Sequence, residues 1–146
     1  LGDHRYRELA PPRRLPDARP VLLSLQGNLS FAAMRELYGR LPDVTGVRRP
    51  VAILRLRGDS MLAGTGVAVL MAYHRRLRAR GGKLILCGVE AATFSTLVRT
   101  GALELLGREN VFCAEDIVFA SAEAAIDYAN QWLAQEEARQ SLADML

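Results

Sequence analysis

Cysteine and histidine each occur only twice in this 146-residue chain, tryptophan once, and aromatic residues make up 6%. Cys87 and Cys113 stand 26 positions apart, which gives neither a disulfide framework nor a paired metal motif and suits a reducing compartment. His4 and His74 are likewise too far apart for metal-ligand spacing, so a metal centre is not expected. No apolar run approaches the roughly 20 residues needed to cross a bilayer. The opening residues, LGDHRYREL, carry no apolar signal-peptide core. Because the chain starts at Leu1 rather than Met, an excised or processed piece is expected.

What is present is a soluble globular composition. Half the residues are hydrophobic and 24% are charged, enough apolar material for one domain with a real core and too much for general disorder. The net charge of +3 hides an asymmetry: residues 1–80 hold fifteen arginines against six acids, whereas residues 81–146 hold one lysine and three arginines against ten. A basic front half could meet nucleic acid, acidic lipid or an acidic partner.

The apolar pattern alternates between strand and helix. Residues 1–18 are polar and proline-rich and are expected as a lead-in or linker, with an edge strand available at residues 6–8. Residues 21–25 (VLLSL) are the first strand; Ser30 can cap a helix whose stripe is Phe31, Met34, Leu37 and Leu41. Residues 51–56 (VAILRL) are apolar on successive positions, as a strand buried on both faces is. A second helix then runs to about Arg80 on the stripe Val67, Leu70, Met71, His74 and Leu77, and Gly81-Gly82 stops it. Residues 84–87 (LILC) are a third strand. Phe94, Leu97 and Val98 mark a third helix ended by Gly101, ALELL a short helical turn, and NVFCA a fourth strand. Residues 121–140 form a long helix with Ser121 as cap and Ala125, Ile126, Ala129, Trp132 and Leu133 as its apolar face. The class is α/β with a mostly parallel sheet.

In such sheets ligands gather where strand ends meet helix N-termini. The stretch RLRGDSMLAGTGVAVL places Gly64, Thr65 and Gly66 at or near a helix's first turn, where free N–H groups and the helix dipole attract anions or phosphate. Arg55 and Arg57 lie just upstream. Neither GxxxxGK[ST] nor GxGxxG is completed, and on pattern alone a tight helix–sheet contact that needs small residues explains the glycines better. No catalytic constellation is expected. His74 reads as a boundary or core residue, and Cys87 and Cys113 read as small buried hydrophobes. Arg75, Arg76, Arg78 and Arg80 complement the end of a helix dipole, and nothing supports nucleic acid as a partner. Arg13-Arg14 and Arg48-Arg49 suit lipid headgroups.

Together, VAILRLRG, GTGVAVLMAYHRRLRARGGKLILCGV and LVRTGALELLGRENVF resemble the STAS domain, and among its branches most resemble the cytoplasmic C-terminal domain of SulP anion (sulfate) transporters. The likeness runs over roughly residues 18–133, with the domain bounded at 19–134 and a helical extension at 135–146. It implies a mixed sheet of four or five strands flanked by helices, and no catalytic reaction. It implies regulation through contacts with the transmembrane anion-transport domain of the same parent chain or with a cytoplasmic protein. A homodimer and weak nucleotide binding are further properties it leaves open. The domain would then lie on the cytoplasmic face of the inner (plasma) membrane, the fragment itself being soluble. Ser60, Gly64, Thr65 and Gly66 are the expected ligand or partner site. The other branch, the anti-sigma-factor antagonists, is phosphorylated on the second serine of Asp-Ser-Ser-Gly. Here the matching residues are Ala63-Gly64-Thr65-Gly66, so Thr65 stands at the phosphorylated position while Ala63 replaces the aspartate. A free-standing partner-switch protein is the alternative function. A small α/β enzyme holding a phosphate-bearing substrate at Gly64–Gly66 ranks last, for want of a general base.

Overall fold

A computed structural model of the chain describes residues 12–25, 38–56, 64–116 and 119–146. Four strands, β1 (Pro20–Leu25), β2 (Val51–Leu56), β3 (Lys83–Val89) and β4 (Val111–Cys113), lie side by side in chain order. Every pairing between them is parallel. Pro20 registers with Val51, and Val51 with Lys83, so the three long strands start on one line. A register shift between Leu86 and Val89 brings the short β4 alongside. The four-stranded parallel sheet and its flanking helices agree with the expected α/β class. The edge strand expected at residues 6–8, which a mixed sheet could use, lies outside the described residues.

Parallel strands need covered crossovers, and the apolar residues divide accordingly. Ala52, Leu54 and Leu56 of β2 and Leu84 and Leu86 of β3 face one layer, formed by α1 (Gly64–Ala79), α2 (Ala91–Arg99) and α3 (Ala102–Leu106). Val51, Ile53, Ile85 and Cys87 face the other, where α4 (Ala120–Asp144) packs. Alternate residues of each central strand therefore bury on opposite sides, and no strand position between Val51 and Leu54 is left in contact with water. α4 lays Ala122, Ala125 and Ala129 against the sheet, small side chains that let a helix backbone come close.

α1 ends as the glycine pair predicts. Gly81 adopts φ +73°, its N–H donates to the Arg78 carbonyl, and the Gly82 N–H donates to the Leu77 carbonyl, which together make a Schellman motif. Gly82 is needed for a second reason, since a Cβ there would run into the Pro50 carbonyl.

Three expectations are corrected. Tyr73, not His74, is the buried member of α1's stripe. The succession Leu70, Tyr73, Leu77 points at the sheet, with the Tyr73 hydroxyl donating to the Pro42 carbonyl at 2.9 Å, and His74 is left half-buried one position round. Cys113 is exposed on the sheet's edge, whereas Cys87 is buried as expected. Ser121 does not cap α4: the helix begins at Ala120 behind Phe119, and the Ser121 hydroxyl accepts the Gly88 N–H at 3.0 Å.

The stretch upstream of residue 19 also packs. Leu15 is 2% exposed, its N–H donates to the Asp43 carbonyl, and Asp43 in turn donates to the Arg13 carbonyl. Of the helix expected after Ser30, only residues 38–40 are described, and they are helical. Among the described residues no helix is long and apolar enough to cross a membrane.

Candidate functional site

Because all four strands run the same way, the helices that follow β3 and β4 start at the strand-end edge. α1 follows β2 and also starts on that side. Gly64, Thr65 and Gly66 are the first three residues of α1, as the sequence implies, and Gly66 is buried. The first turn of α1 holds no acidic residue, and neither does that of α2, whose N-cap Glu90 makes no side-chain capping bond. The N–H groups of these first turns have no intrahelical acceptor, so each of these two helix starts carries a local partial positive charge. Ser60 and Arg57 lie outside the described residues.

Arg55 does not join Gly64–Gly66 as its sequence position suggests. Strand alternation puts it on the α4 face of β2, where its guanidinium stacks 4.1 Å above the Phe119 ring. Phe119 itself sits at φ +70°, a left-handed conformation costly for a side chain with a Cβ. Beside this pair, Cys87 registers with Arg55, and burial pushes its thiol up to about 11, with the Arg55 charge pulling the other way. A thiol held so firmly protonated is a poor nucleophile. Gly88 completes the junction at φ +64°, where a Cβ would lie 2.8 Å from the Leu56 carbonyl oxygen. The strand-end edge is thus a tight seam on the α4 side and an anion-compatible helix start on the α1 side.

A second polar cluster escaped the sequence reading. Lys83, the chain's one lysine, opens β3 and is 5% exposed. Its ammonium donates to Asn110 Oδ1 and to the Tyr128 hydroxyl, both at 2.9 Å, and lies 4.5 Å from the centre of the Trp132 ring. Tyr128 donates to the same Asn110 oxygen at 3.0 Å, and the Asn110 amide donates to the Leu106 carbonyl at 2.7 Å. Among the described residues no carboxylate is bonded to Lys83. Burial accordingly lowers its pKa, the more distant Glu109 opposing. The cluster pins α4 to the strand starts, at the edge away from Gly64–Gly66. The only signal for it was a lysine opening a strand that is otherwise apolar.

His74 has its pKa lowered by burial first and by Arg78 next, and its Nδ1 is buried without a hydrogen-bond partner. It stands on α1 beside Leu105, and among the described residues the charges that act on it are those of Arg78 and Arg75, which is not a general base's setting. Among the described residues no three of His, Cys, Asp and Glu come together in a way that could hold a metal ion.

Comparison with known proteins decides the family. The family model described as the STAS domain matches residues 13–116, most of the chain. The chain belongs to the STAS family. No curated protein sequence matches it. Among solved structures it is similar to a sulfate transporter family protein from Wolinella succinogenes, at 26% identity and a TM-score of 0.59, covering 83% of this chain and 91% of that one. It is also similar to the STAS domain of a SulP transporter from Vibrio cholerae, at 25% identity and a TM-score of 0.51, covering 85% of this chain and 88% of that one. The matched region of this STAS domain begins at residue 13, where Leu15 and the Arg13–Asp43 pairing enter the fold.

Proposed function

We propose that this chain is the regulatory, non-catalytic STAS domain of a SulP-type anion transporter. It would act at the cytoplasmic face of the membrane through contacts with the transport domain of the same parent chain or with a cytoplasmic protein. The observation that carries the reading is the likeness to a sulfate transporter family protein and to a SulP transporter STAS domain over more than four-fifths of this chain. The contact site is the start of α1 at Gly64, Thr65 and Gly66, to which the sequence adds Ser60. There the uncompensated first turn of α1 suits a carboxylate or phosphate of a partner or a weakly held nucleotide. The test has two steps. The coding frame upstream of Leu1 is read for apolar spans, and anion uptake is then measured for the full protein with and without this domain. Uptake and surface level that do not change on deletion would refute the reading.

Thr65 in the first turn of α1 favours a second reading, a partner-switch protein phosphorylated there, since a helix start stabilises a phosphate. A Thr65→Glu change separates the two. It abolishes binding of the partner in a phosphorylation switch, and full retention of partner binding rules the switch out.

A further inference from the structure

The parallel register collects charge at the edge away from Gly64–Gly66. The segments that lead into the three long strands, residues 12–19, 41–50 and 75–83, hold nine arginines, with only Asp17 and Asp43 as acids. Since Pro20, Val51 and Lys83 are in register, these segments meet at one edge, and hydrogen bonds and an ion pair join them. The Arg80 Nε donates to the Val47 carbonyl at 3.0 Å, Arg76 pairs with Asp43 at 3.3 Å, and Asp17 accepts the Arg48 N–H at 2.7 Å. Arg13, Arg14, Arg75 and Arg78 are exposed there, and among the described residues no carboxylate pairs with them. The strand-end edge has the opposite sign: Glu90, Glu115, Asp116 and Glu123 follow β3 and β4, all of them exposed.

α4 supplies a second observation. It starts at the strand-end edge and reaches the basic edge at Glu137, which pairs with Arg48 and, at 3.2 Å, with Arg49. The helix continues to Asp144, and every residue from 138 onward is exposed. At about 1.5 Å per residue, Glu137 to Asp144 adds about 10 Å of helix next to the arginines. On this stretch Leu142 is 61% exposed and Met145, just past its end, 82%. The acids near the edge are Glu136, Glu137 and Asp144 on α4, and Glu104 and Glu109 ahead of β4, where Arg108 pairs with Glu104. They leave the arginines in excess.

We propose that this edge is a docking surface for an anionic lipid bilayer, with the spread arginines on the headgroups and Leu142 and Met145 reaching the acyl boundary. Arginines distributed over three segments suit a broad charged plane, and the exposed apolar side chains at the end of α4, which runs on past the arginine edge, are what a lipid surface takes up and a free anion does not. The inference stands on the charge geometry and not on the transporter reading.

Sedimentation of the chain with phosphatidylcholine vesicles, with and without phosphatidylglycerol, tests it. Binding is expected only with phosphatidylglycerol and is expected to weaken as salt rises. The combined Arg13→Gln, Arg75→Gln and Arg78→Gln variant, with folding checked by circular dichroism, should lose roughly a hundredfold in partitioning, at about fivefold per arginine. A Glu90→Gln, Glu123→Gln variant raises the net charge at the far edge and should bind as the parent does. A Leu142→Ser, Met145→Ser variant should lose the binding that survives raised salt. Equal binding to neutral vesicles, parent-like binding by the arginine variant, or equal competition by duplex DNA would overturn the proposal. Each of those results leaves the deletion experiment on anion uptake to stand or fall by itself.

Discussion

Lys83 offers the sharpest quantitative test of how this domain is held together. Its ammonium is buried on two neutral oxygens and two aromatic faces, and among the described residues no carboxylate is bonded to it. Taking a charge out of water costs several kcal/mol, which such partners offset only in part. A Lys83→Met change keeps the stem's length and removes the charge. It leaves no orphan, because Tyr128 still donates to Asn110 Oδ1 and Asn110 still donates to the Leu106 carbonyl. The lost charged hydrogen bonds, about 1.5–3 kcal/mol each, are set against the recovered desolvation. The net change at neutral pH should be within about 1 kcal/mol. Asn110→Ala works differently. It leaves the ammonium buried on one acceptor and strips the Leu106 carbonyl of its partner, and should cost about 2–3 kcal/mol.

The pH profile gives the same mechanism a second readout. Burial lowers the folded pKa of Lys83 below 10.5, so between the two values the unfolded chain binds more protons. Stability from this group is therefore greatest above 10.5, and is lost as pH falls through the folded pKa. The parent should gain stability relative to Lys83→Met as pH rises toward 10.5. Tyr73, whose pKa burial raises above 10.0, acts in the opposite sense above that pH in both proteins and cancels in the comparison; Tyr128, raised likewise, is bonded to Lys83 and does not cancel, so the difference is read below pH 10.0. Urea unfolding followed by far-UV dichroism and by the fluorescence of Trp132 provides both measurements. The reasoning fails if Lys83→Met costs about 3 kcal/mol or more, if Asn110→Ala costs no more than Lys83→Met, or if the pH difference has the other sign.

Two further changes probe the close approaches that fix the sheet. Gly82→Ala drives a methyl into the Pro50 carbonyl, which itself accepts the Lys83 N–H at 3.1 Å and has no room to retreat. It should destabilise by about 3 kcal/mol, and a denaturation midpoint equal to the parent's would disprove the contact. Ser121→Ala removes the acceptor of the Gly88 N–H and should cost about 1–2 kcal/mol, with faster amide exchange at Gly88. Unchanged exchange there would place the bond elsewhere.

The elements were legible because the physics that forms them is local. The apolar runs in β2 and β3 admit only strands covered on both sides, and the Gly81-Gly82 stop works through bonds spanning one helical turn. Errors came where tertiary contacts choose between neighbours. A stripe drawn at helical spacing admits either Tyr73 or His74, and the choice falls to the Pro42 carbonyl, which takes the tyrosine hydroxyl. A serine before a helical run looks like a cap until a strand residue, here Gly88, presents an unpartnered N–H to it. Leu15 sits in a proline-rich stretch whose composition suggests a linker, and its burial depends on a pairing with Asp43, 28 positions on.

Charge shows the same division on a larger scale. The sequence places most of its arginines in the first 80 residues and most of its acids in the last 66, an asymmetry along the chain that carries no direction in space. In a parallel sheet, every segment leading into a strand arrives at one edge and every segment leaving a strand departs from the other. The arginines of residues 12–19, 41–50 and 75–80 lie in lead-in segments, whereas Glu90, Glu115, Asp116 and Glu123 follow strands. The topology thereby converts a front-to-back imbalance into an edge-to-edge one. Arg55 is the instructive exception. It lies within β2, strand alternation turns it toward α4, and Phe119 takes its charge. Among the described residues, that leaves the first turn of α1 with its backbone N–H groups to attract an anion, and puts the exposed arginines of the lead-in segments at the opposite end of the domain.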